Sequence, residues 1–344
     1  MHQSAMTTQV LRRALLAHFG STRTTLVCMG LLGAAALAGQ VQESLLAVAL
    51  GLALALLSLN LLAALVVHPT LRRQLPLLVF HLALLAIVLL AGLGRLTALD
   101  GHVELTQGTP FEGRLIESSA GRWHRDGLAQ LAFTNDGFEI DYAPGRQRGA
   151  TRNRVSWQDA DGNARSAVIG DHRPLVLDGY RIYTSYNKGF APVLTWRAQL
   201  GPAITGAVHL PSFPSNELHQ SREWSLPDGR AVWVLLQTDE TLIDPAAQTT
   251  FRLPQSHWLV LRMGDTRAEL RPGQSIALPG GTLVYEGLRS WMGYRVTYDP
   301  TMAWMLAASL LAACALAWHY TQRFFFGTAA QKQGRAALRG AADV

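Results

Sequence analysis

Four long apolar runs constrain this chain more than any other feature, and they lie on either side of the polar stretch Asp100–Pro300. The runs are Thr24–Val41, Ser44–Val67, Leu75–Gly94 and Thr301–Tyr320. A helix that spans a bilayer needs about 20 predominantly apolar residues. The sequence therefore predicts a membrane protein with four transmembrane helices, of which the first is the shortest and is rich in Gly and Ala. Because the first run begins late and another follows closely, none is predicted to be a cleavable signal peptide.

Basic residues flank these runs on one side of the membrane, and such residues concentrate in cytoplasmic segments. The segments on that side carry Arg12, Arg13, Arg23, Arg72, Arg73, Arg323, Lys332, Arg335 and Arg339 against the single acidic residue Asp343. This asymmetry predicts that both termini are cytoplasmic and that the middle of the chain is periplasmic. The predicted segments are a cytoplasmic N-terminus (1–23), a three-helix membrane region (24–97), a periplasmic domain (98–300), a fourth transmembrane helix (301–322) and a cytoplasmic tail (323–344).

The net charge of +6 belongs to the membrane-flanking segments rather than to the polar domain. Asp100–Pro300 contains 20 Lys and Arg residues against 22 Asp and Glu residues. A nucleic-acid-binding domain would need a basic excess on its surface. The composition therefore excludes a nucleic-acid partner, while the apolar runs require contact with membrane lipid.

The polar domain has the pattern of a β protein. Short apolar stretches such as Gly229–Asp239, Ser256–Asp265 and Gly281–Asp299 alternate with Gly, Pro, Asn and Asp turn signals. This pattern predicts an α + β membrane protein whose large extracytoplasmic domain is a β-sandwich or an open barrel. The domain is large enough to be one unit or two in tandem, with Pro211–His219 as a candidate loop or linker.

Signatures of soluble enzymes are absent from the sequence. There is no P-loop, no HExxH and no GxSxG motif, and the histidines of the polar domain are scattered. The two cysteines, Cys28 and Cys314, lie in predicted transmembrane helices, which excludes a disulfide framework, a CxxC redox pair and a cysteine-type zinc site. The tryptophans of the polar domain that are most simply core residues are Trp157, Trp196, Trp224, Trp233, Trp258 and Trp291.

The clearest candidate for a functional side chain lies in the membrane segments: His81 is the only ionisable residue of the third run. Ionisable residues in lipid are costly and usually functional. The imidazole could ligate haem iron or relay a proton, or it could form a hydrogen bond to Asn60 of the second run. His319, near the inner end of the fourth run, could reach the lipid headgroups or approach the same haem. Arg95, at the outer end of the third run, could be an interfacial charge or could pair with a haem propionate.

Taken together, several stretches resemble the ResB/CcsB family of cytochrome c biogenesis proteins (System II). The resemblance is densest in Leu57–Leu65, in Val79–Gly108 (VFHLALLAIVLLAGLGRLTALDGHVELTQG) and in Gly293–Trp304, and Tyr180–Pro192 resembles the family's tyrosine-rich strand. The chain departs from the family after the first run, and it has no tryptophan-rich haem-handling segment.

The resemblance implies a subunit of a cytochrome c haem lyase complex in the inner membrane. The complex would move haem b across the membrane and present it to the CxxCH motif of apocytochrome c. His81 matches the family's intramembrane histidine, which implies an axial haem ligand, with the second ligand supplied by a polytopic CcsA/ResC-type partner. The chain alone would then not be the synthase, and its polar domain would dock the partner.

Two other functions are compatible with the sequence. In the first, the chain is an electron-transfer membrane cytochrome of the b type, with His81 and His319 as a pair of ligands in one polypeptide. In the second, it is a non-enzymatic membrane-anchored scaffold or sensor whose β domain binds a ligand in the cell envelope.

Overall fold

The computed structural model describes residues 14, 16–38, 43–125, 127–216 and 219–326. These residues form two compact units. A helical unit contains the chain up to Thr97, the short segment Gly121–Trp123 and the chain from Asp299 onward. A β unit contains Ala98–Ala120 and His124–Tyr298.

The helices of the first unit begin at recognisable sequence signals. They are α1 (Thr22–Ala38), α2 (Glu43–Val67), α3 (Pro69–Arg73), α4 (Leu75–Thr97) and α5 (Met302–Thr321), which continues into a π-helical turn at Gln322–Phe326. The Ser21 hydroxyl accepts a hydrogen bond from the Thr24 backbone N–H at the start of α1. The Asp299 carboxylate accepts bonds from the backbone and side chain of Thr301 just before α5.

Within the described residues, three helices are long and apolar enough to cross a membrane, which confirms the membrane character predicted from the sequence. They are Val48–Val67, Leu75–Thr97 and Met302–Phe324. Their large apolar side chains, such as Leu52, Leu89 and Leu306, are more than half exposed within the chain, as lipid-facing residues are. The remaining apolar helix, Thr22–Leu37, is shorter than these three.

Small residues allow the helices to approach closely. Ala308, Ala312 and Ala315 are buried at helical spacing along one face of α5, which packs against α4. A second close contact lies near the end of α4, where a Cβ added to Gly94 would come within 2.8 Å of the Thr301 hydroxyl. Small residues at such contacts are typical of membrane helix pairs.

The β unit contains fifteen strands within the described residues. They are β1 (Leu99–Thr106), β2 (Glu117–Ala120), β3 (Thr134–Ala143), β4 (Gln147–Gln158), β5 (Ala164–Ile169), β6 (Leu175–Leu177), β7 (Tyr180–Ala198), β8 (Ile204–Ala207), β9 (Ser221–Ser225), β10 (Ala231–Thr238), β11 (Thr249–Thr250), β12 (His257–Met263), β13 (Thr266–Leu270), β14 (Ser275–Leu278) and β15 (Gly281–Tyr298). This confirms the β-rich domain predicted from the alternating pattern.

The strands form three antiparallel sheets. The largest has the order β2-β1-β15-β7-β6, with β14 beside β15 and β8 beside β7. The others have the orders β13-β12-β10-β9 and β11-β3-β4-β5. Whether the three sheets make a sandwich or an open barrel stays a prediction.

Two long strands tie the unit together. β7 and β15 have 19 and 18 residues and pair from Tyr180 with Tyr298 to Ala198 with Gly281. One half of this ribbon packs with β3, β10 and β12 around a first hydrophobic core, and the other half packs with β1, β4 and β5 around a second. The unit thus has two cores that share the same pair of strands, rather than two domains joined by a linker.

One interpretation of the polar domain is corrected by this packing. The candidate linker Pro211–His219 carries Phe213, which is buried against Phe190 and Phe251 in the first core. An aromatic side chain held this way anchors the segment to the domain, so it is not a linker. Among the tryptophans that the sequence assigns to the core, Trp196 and Trp291 are fully buried and the other four are partly buried.

Candidate functional site

His81 lies on α4, six residues after the helix begins at Leu75, or about 9 Å along its axis. The side chain is half-buried, and its ring meets that of Phe80 edge to face with the centroids 5.3 Å apart. His81 lies within the apolar span Leu75–Thr97, and the helix that carries it packs against both α2 and α5.

The hydrogen bonding of His81 defines which ring nitrogen is free. Nδ1 lies 2.7 Å from the carbonyl oxygen of Leu77, one turn earlier on α4. A carbonyl oxygen only accepts, so Nδ1 carries the proton, and in the neutral ring Nε2 keeps its lone pair. No hydrogen bond to Nε2 is recorded from the residues that the structure describes. The ring is therefore held in the tautomer that leaves Nε2 as a metal ligand or proton acceptor.

The alternative in which His81 bonds to Asn60 is wrong. The Asn60 side chain is buried and donates to the carbonyl oxygens of Phe19 and Ser21. Its amide oxygen accepts a bond from the Thr25 hydroxyl at 2.8 Å. Asn60 therefore fastens the start of α1 to α2, and its hydrogen-bonding capacity is used there.

His319 lies in the last turn of α5 and lines a cleft of about 860 Å³ within the helical unit. Arg73 and the first turn of α4 form one wall of this cleft, and Trp318 and Arg323 contribute to the other. α4 and α5 are antiparallel: the start of α4 faces the end of α5 at this cleft, and Gly94 lies beside Thr301 at the opposite end of the pair.

The cleft does not include His81. Given the antiparallel pairing, His81 lies level with about residue 314 of α5, about 7 to 8 Å along the helix axis from His319. The two histidines predicted from the sequence are thus on neighbouring helices but at different depths. His319 therefore lines the cleft, and His81 lies outside it at a different depth along α4.

Arg95 is exposed in the last turn of α4, and no ion pair to it is recorded among the described residues. The segment Gly121–Trp123 docks on the same helix end, where the Trp123 backbone N–H donates to the Leu96 carbonyl at 2.7 Å. Close approach needs a glycine here, since a Cβ on Gly121 would lie 2.3 Å from the Leu96 carbonyl carbon. Arg122 and Trp123 are both exposed, so this helix end presents two guanidinium groups and an aromatic ring.

One polar cluster of the β unit was missed by sequence reasoning. Nδ1 of His209 lies 3.0 Å from the Glu104 carboxylate, Nε2 lies 2.8 Å from the Thr106 hydroxyl, and the ring stacks on Trp291. The hydrogen bond from His209 lowers the pKa of Glu104, although burial acts in the opposite direction. Because both ring nitrogens are engaged, the cluster fastens β1 to the segment after β8 rather than offering a ligand.

A second cluster surrounds the buried Lys188 of β7. Its ammonium donates to the Tyr186 carbonyl at 3.2 Å, and burial followed by repulsion from Arg148 lowers its pKa from 10.5 to about 8. Arg148 bonds Asp171 and lies over the Tyr186 ring. Burial would raise the pKa of Asp171, but the bonds from Arg148, Thr151 and Thr184 lower it below its ordinary value. No local sequence signal marks either cluster, because the partners lie far apart in the chain.

In the described part of the chain, no three or more His, Cys, Asp or Glu side chains come together in a group that could hold a metal ion. A single imidazole with a free Nε2, such as that of His81, fits a haem iron that takes one ligand from this chain and another from elsewhere.

A family model described as ResB-like matches residues 71–257, which is more than half of the chain. This chain belongs to the ResB-like family. The matched region includes Arg73, His81 and Arg95 but ends before His319 and Arg323.

No curated protein matches this ResB-like chain. Among solved structures, a chain titled cytochrome c haem lyase CcmF is similar at 14% sequence identity and a TM-score of 0.23. The match covers 90% of this chain and 39% of that chain, so this protein spans well under half of its length.

Proposed function

We propose that this ResB-like protein is the ResB/CcsB-type (System II) subunit of a cytochrome c haem lyase complex and carries haem through the membrane to apocytochrome c. The observation that carries the proposal is the His81 imidazole. It lies inside a helix able to span a bilayer, it falls within the region matched by the family, and Leu77 holds its Nδ1 so that Nε2 is free.

In this proposal Nε2 of His81 is an axial ligand to the iron of haem b, which is the cargo of the complex. The bond from Nδ1 to the Leu77 carbonyl fixes the ring orientation and makes Nε2 a better donor to iron. The second axial ligand is proposed to come from a CcsA/ResC-type polytopic partner, and His319 belongs to a cleft that does not include His81. The haem therefore sits at the interface of two subunits.

The proposed topology has four transmembrane helices, cytoplasmic N- and C-termini and a periplasmic β unit. Its support is the clustering of Arg72, Arg73 and Arg323 at one end of the antiparallel pair α4 and α5. With 17 residues α1 is about 26 Å long, close to the thickness of the hydrocarbon core.

At the periplasmic side Arg95 is proposed to pair with a haem propionate, because no carboxylate partner is recorded for it within the described residues. The β unit is proposed to dock the partner and apocytochrome c, whose CxxCH cysteines form the thioether bonds. The thiol chemistry then lies with the apocytochrome and the partner rather than with this chain.

The experiment is co-expression with a CcsA-type partner and a reporter apocytochrome c. We expect His81→Ala to reduce the haem content of the purified complex and the yield of holocytochrome, while membrane abundance stays at the wild-type level. His68→Ala is the matched control, since this histidine is exposed at a helix boundary and its ring contacts the Gly20 carbonyl rather than any group near His81 among the described residues. Unchanged cytochrome yield in His81→Ala would refute the site.

The same experiment separates the alternatives. A stable low-spin haem in the chain purified without a partner, lost in both His81→Ala and His319→Ala, would instead identify an electron-transfer cytochrome. If haem never copurifies and cytochrome yield does not depend on the chain, the protein is an anchored scaffold or sensor.

A further inference from the structure

The cleft between the start of α4 and the end of α5 is lined by basic and aromatic side chains that have no part in the proposed role of His81. We call it the basic cleft and define it by Arg73, His319, Arg323, Trp318 and the first turn of α4. Its volume of about 860 Å³ lies in the range of small-molecule sites.

The basic cleft is positively charged without compensation. Arg73 and Arg323 are exposed, and no ion pair is recorded for either within the described ranges. The acidic residues described in the helical unit, Glu43 and Asp299, lie at the opposite ends of their helices. The first turn of α4 adds the partial positive charge of a helix N-terminus to the same space. The last turn of α5 brings the partial negative charge of a helix C-terminus to the same cleft, so the net attraction for an anionic ligand comes from the two guanidinium groups.

We propose that the basic cleft is the capture site for haem, in which Arg73 and Arg323 bind the two propionate carboxylates and His319 presents its imidazole to the iron. The inference rests on the proposed haem-carrying function and adds a first binding position to it. On the proposed topology the cleft opens at the cytoplasmic face, and haem would next move the 7 to 8 Å along α4 to His81.

Three features favour haem over another anionic amphiphile. Guanidinium groups bind carboxylates bidentately, and haem carries two carboxylates on one edge. An imidazole can donate a hydrogen bond to a phosphate as well, but its nitrogen lone pair can ligate haem iron, and a phospholipid headgroup has no use for that lone pair. The Trp318 ring beside it offers an aromatic face for a flat macrocycle.

The test is a titration of the full chain with its partner in nanodiscs of zwitterionic lipid, followed by absorbance. The probes are haemin and haemin dimethyl ester, which has the same ring and iron but no carboxylate charge. We expect wild type to bind haemin at least about tenfold more tightly than the ester, as a charge-assisted contact would require. Arg73→Gln with Arg323→Gln should remove this preference.

Arg72→Gln is the matched control, because Arg72 is the exposed neighbour of Arg73 but does not line the cleft. It should keep the preference for haemin. In a His81→Ala background the preference should also persist, so failure of the His81 assignment and failure of this one can be told apart. In that background His319→Ala should change the spin state of the bound haem.

Three results would overturn the proposal. The first is equal affinity of the wild type for haemin and its ester, and the second is a preference that survives in the double glutamine variant. The third is an anionic lipid that copurifies through Arg73 and Arg323 and blocks haemin binding, which would make the cleft a headgroup site. In the His81→Ala background, an unchanged haem spectrum on adding His319→Ala would overturn the assignment of His319 as a ligand.

Discussion

Replacing Lys188 by methionine is expected to stabilise the protein at neutral pH, although the change removes a buried hydrogen bond. Lys188 is 3% exposed, and its pKa falls from 10.5 to about 8 because burial disfavours the charged form. The gap between these values corresponds to about 3 kcal/mol, which opposes folding at every pH below about 8. The lost bond to the Tyr186 carbonyl costs about 1 kcal/mol. The expected net gain for Lys188→Met at pH 7 is therefore about 2 kcal/mol.

The sign of the pH dependence makes this prediction specific. Between about pH 8 and 10.5 the unfolded chain holds the proton that folded Lys188 has released, so the stability of the wild type rises with pH. The advantage of Lys188→Met should therefore shrink over that interval. Urea unfolding of the full chain in nanodiscs, followed by tryptophan fluorescence, measures it.

The matched control is Arg173→Met, which removes an exposed positive charge of the same unit and should change stability by less than about 0.5 kcal/mol. A loss of stability in Lys188→Met that does not vary with pH would refute the reasoning. It would mean that the ammonium has a favourable role beyond its bond to the Tyr186 carbonyl.

Three further predictions address other parts of the molecule. Glu104→Gln should destabilise the β unit above about pH 4.5, where the wild-type carboxylate accepts a hydrogen bond from His209. The difference in stability between variant and wild type should vanish as the pH falls through the lowered pKa of Glu104. A series of unfolding curves at different pH values measures this difference. Ala312→Leu should overpack the contact of α5 with α4 and cost about 1 to 3 kcal/mol, seen as a lower melting temperature in nanodiscs, whereas equal melting would contradict the packing. Leu200→Cys, at a position 92% exposed, should react with a membrane-impermeant maleimide in spheroplasts when the two native cysteines are serine; labelling only after lysis would place the β unit on the other side.

The parts of the fold that depend on local pattern could be predicted from the sequence. Mean hydropathy over a window of residues identifies α2, α4 and α5, and alternation with turn residues identifies the β-rich region. His81 stands out because a single imidazole interrupts an apolar run. Each of these signals lies within about 20 consecutive residues, so no knowledge of the tertiary contacts is needed.

The parts that depend on contacts between distant residues could not be predicted. Glu104 and His209 are 105 residues apart in the chain, and they meet through the sheet in which β1 pairs with β15. Asn60 and His81 are both polar residues in apolar helices, so the sequence allows a bond between them, but hydropathy carries no information on which faces meet. The basic cleft likewise requires Arg73 and Arg323 to come together through the antiparallel packing of α4 and α5.

The proposal that Nε2 of His81 binds haem iron can be tested by changing the ligand atom. The complex with its CcsA-type partner would be purified as wild type and as His81→Cys, and both would be compared by absorption and electron paramagnetic resonance. We predict that haem in the variant shows the spectrum of a thiolate-ligated iron, since only a residue in contact with the metal can change its axial ligand. Full haem content with the wild-type spectrum in His81→Cys would contradict the account.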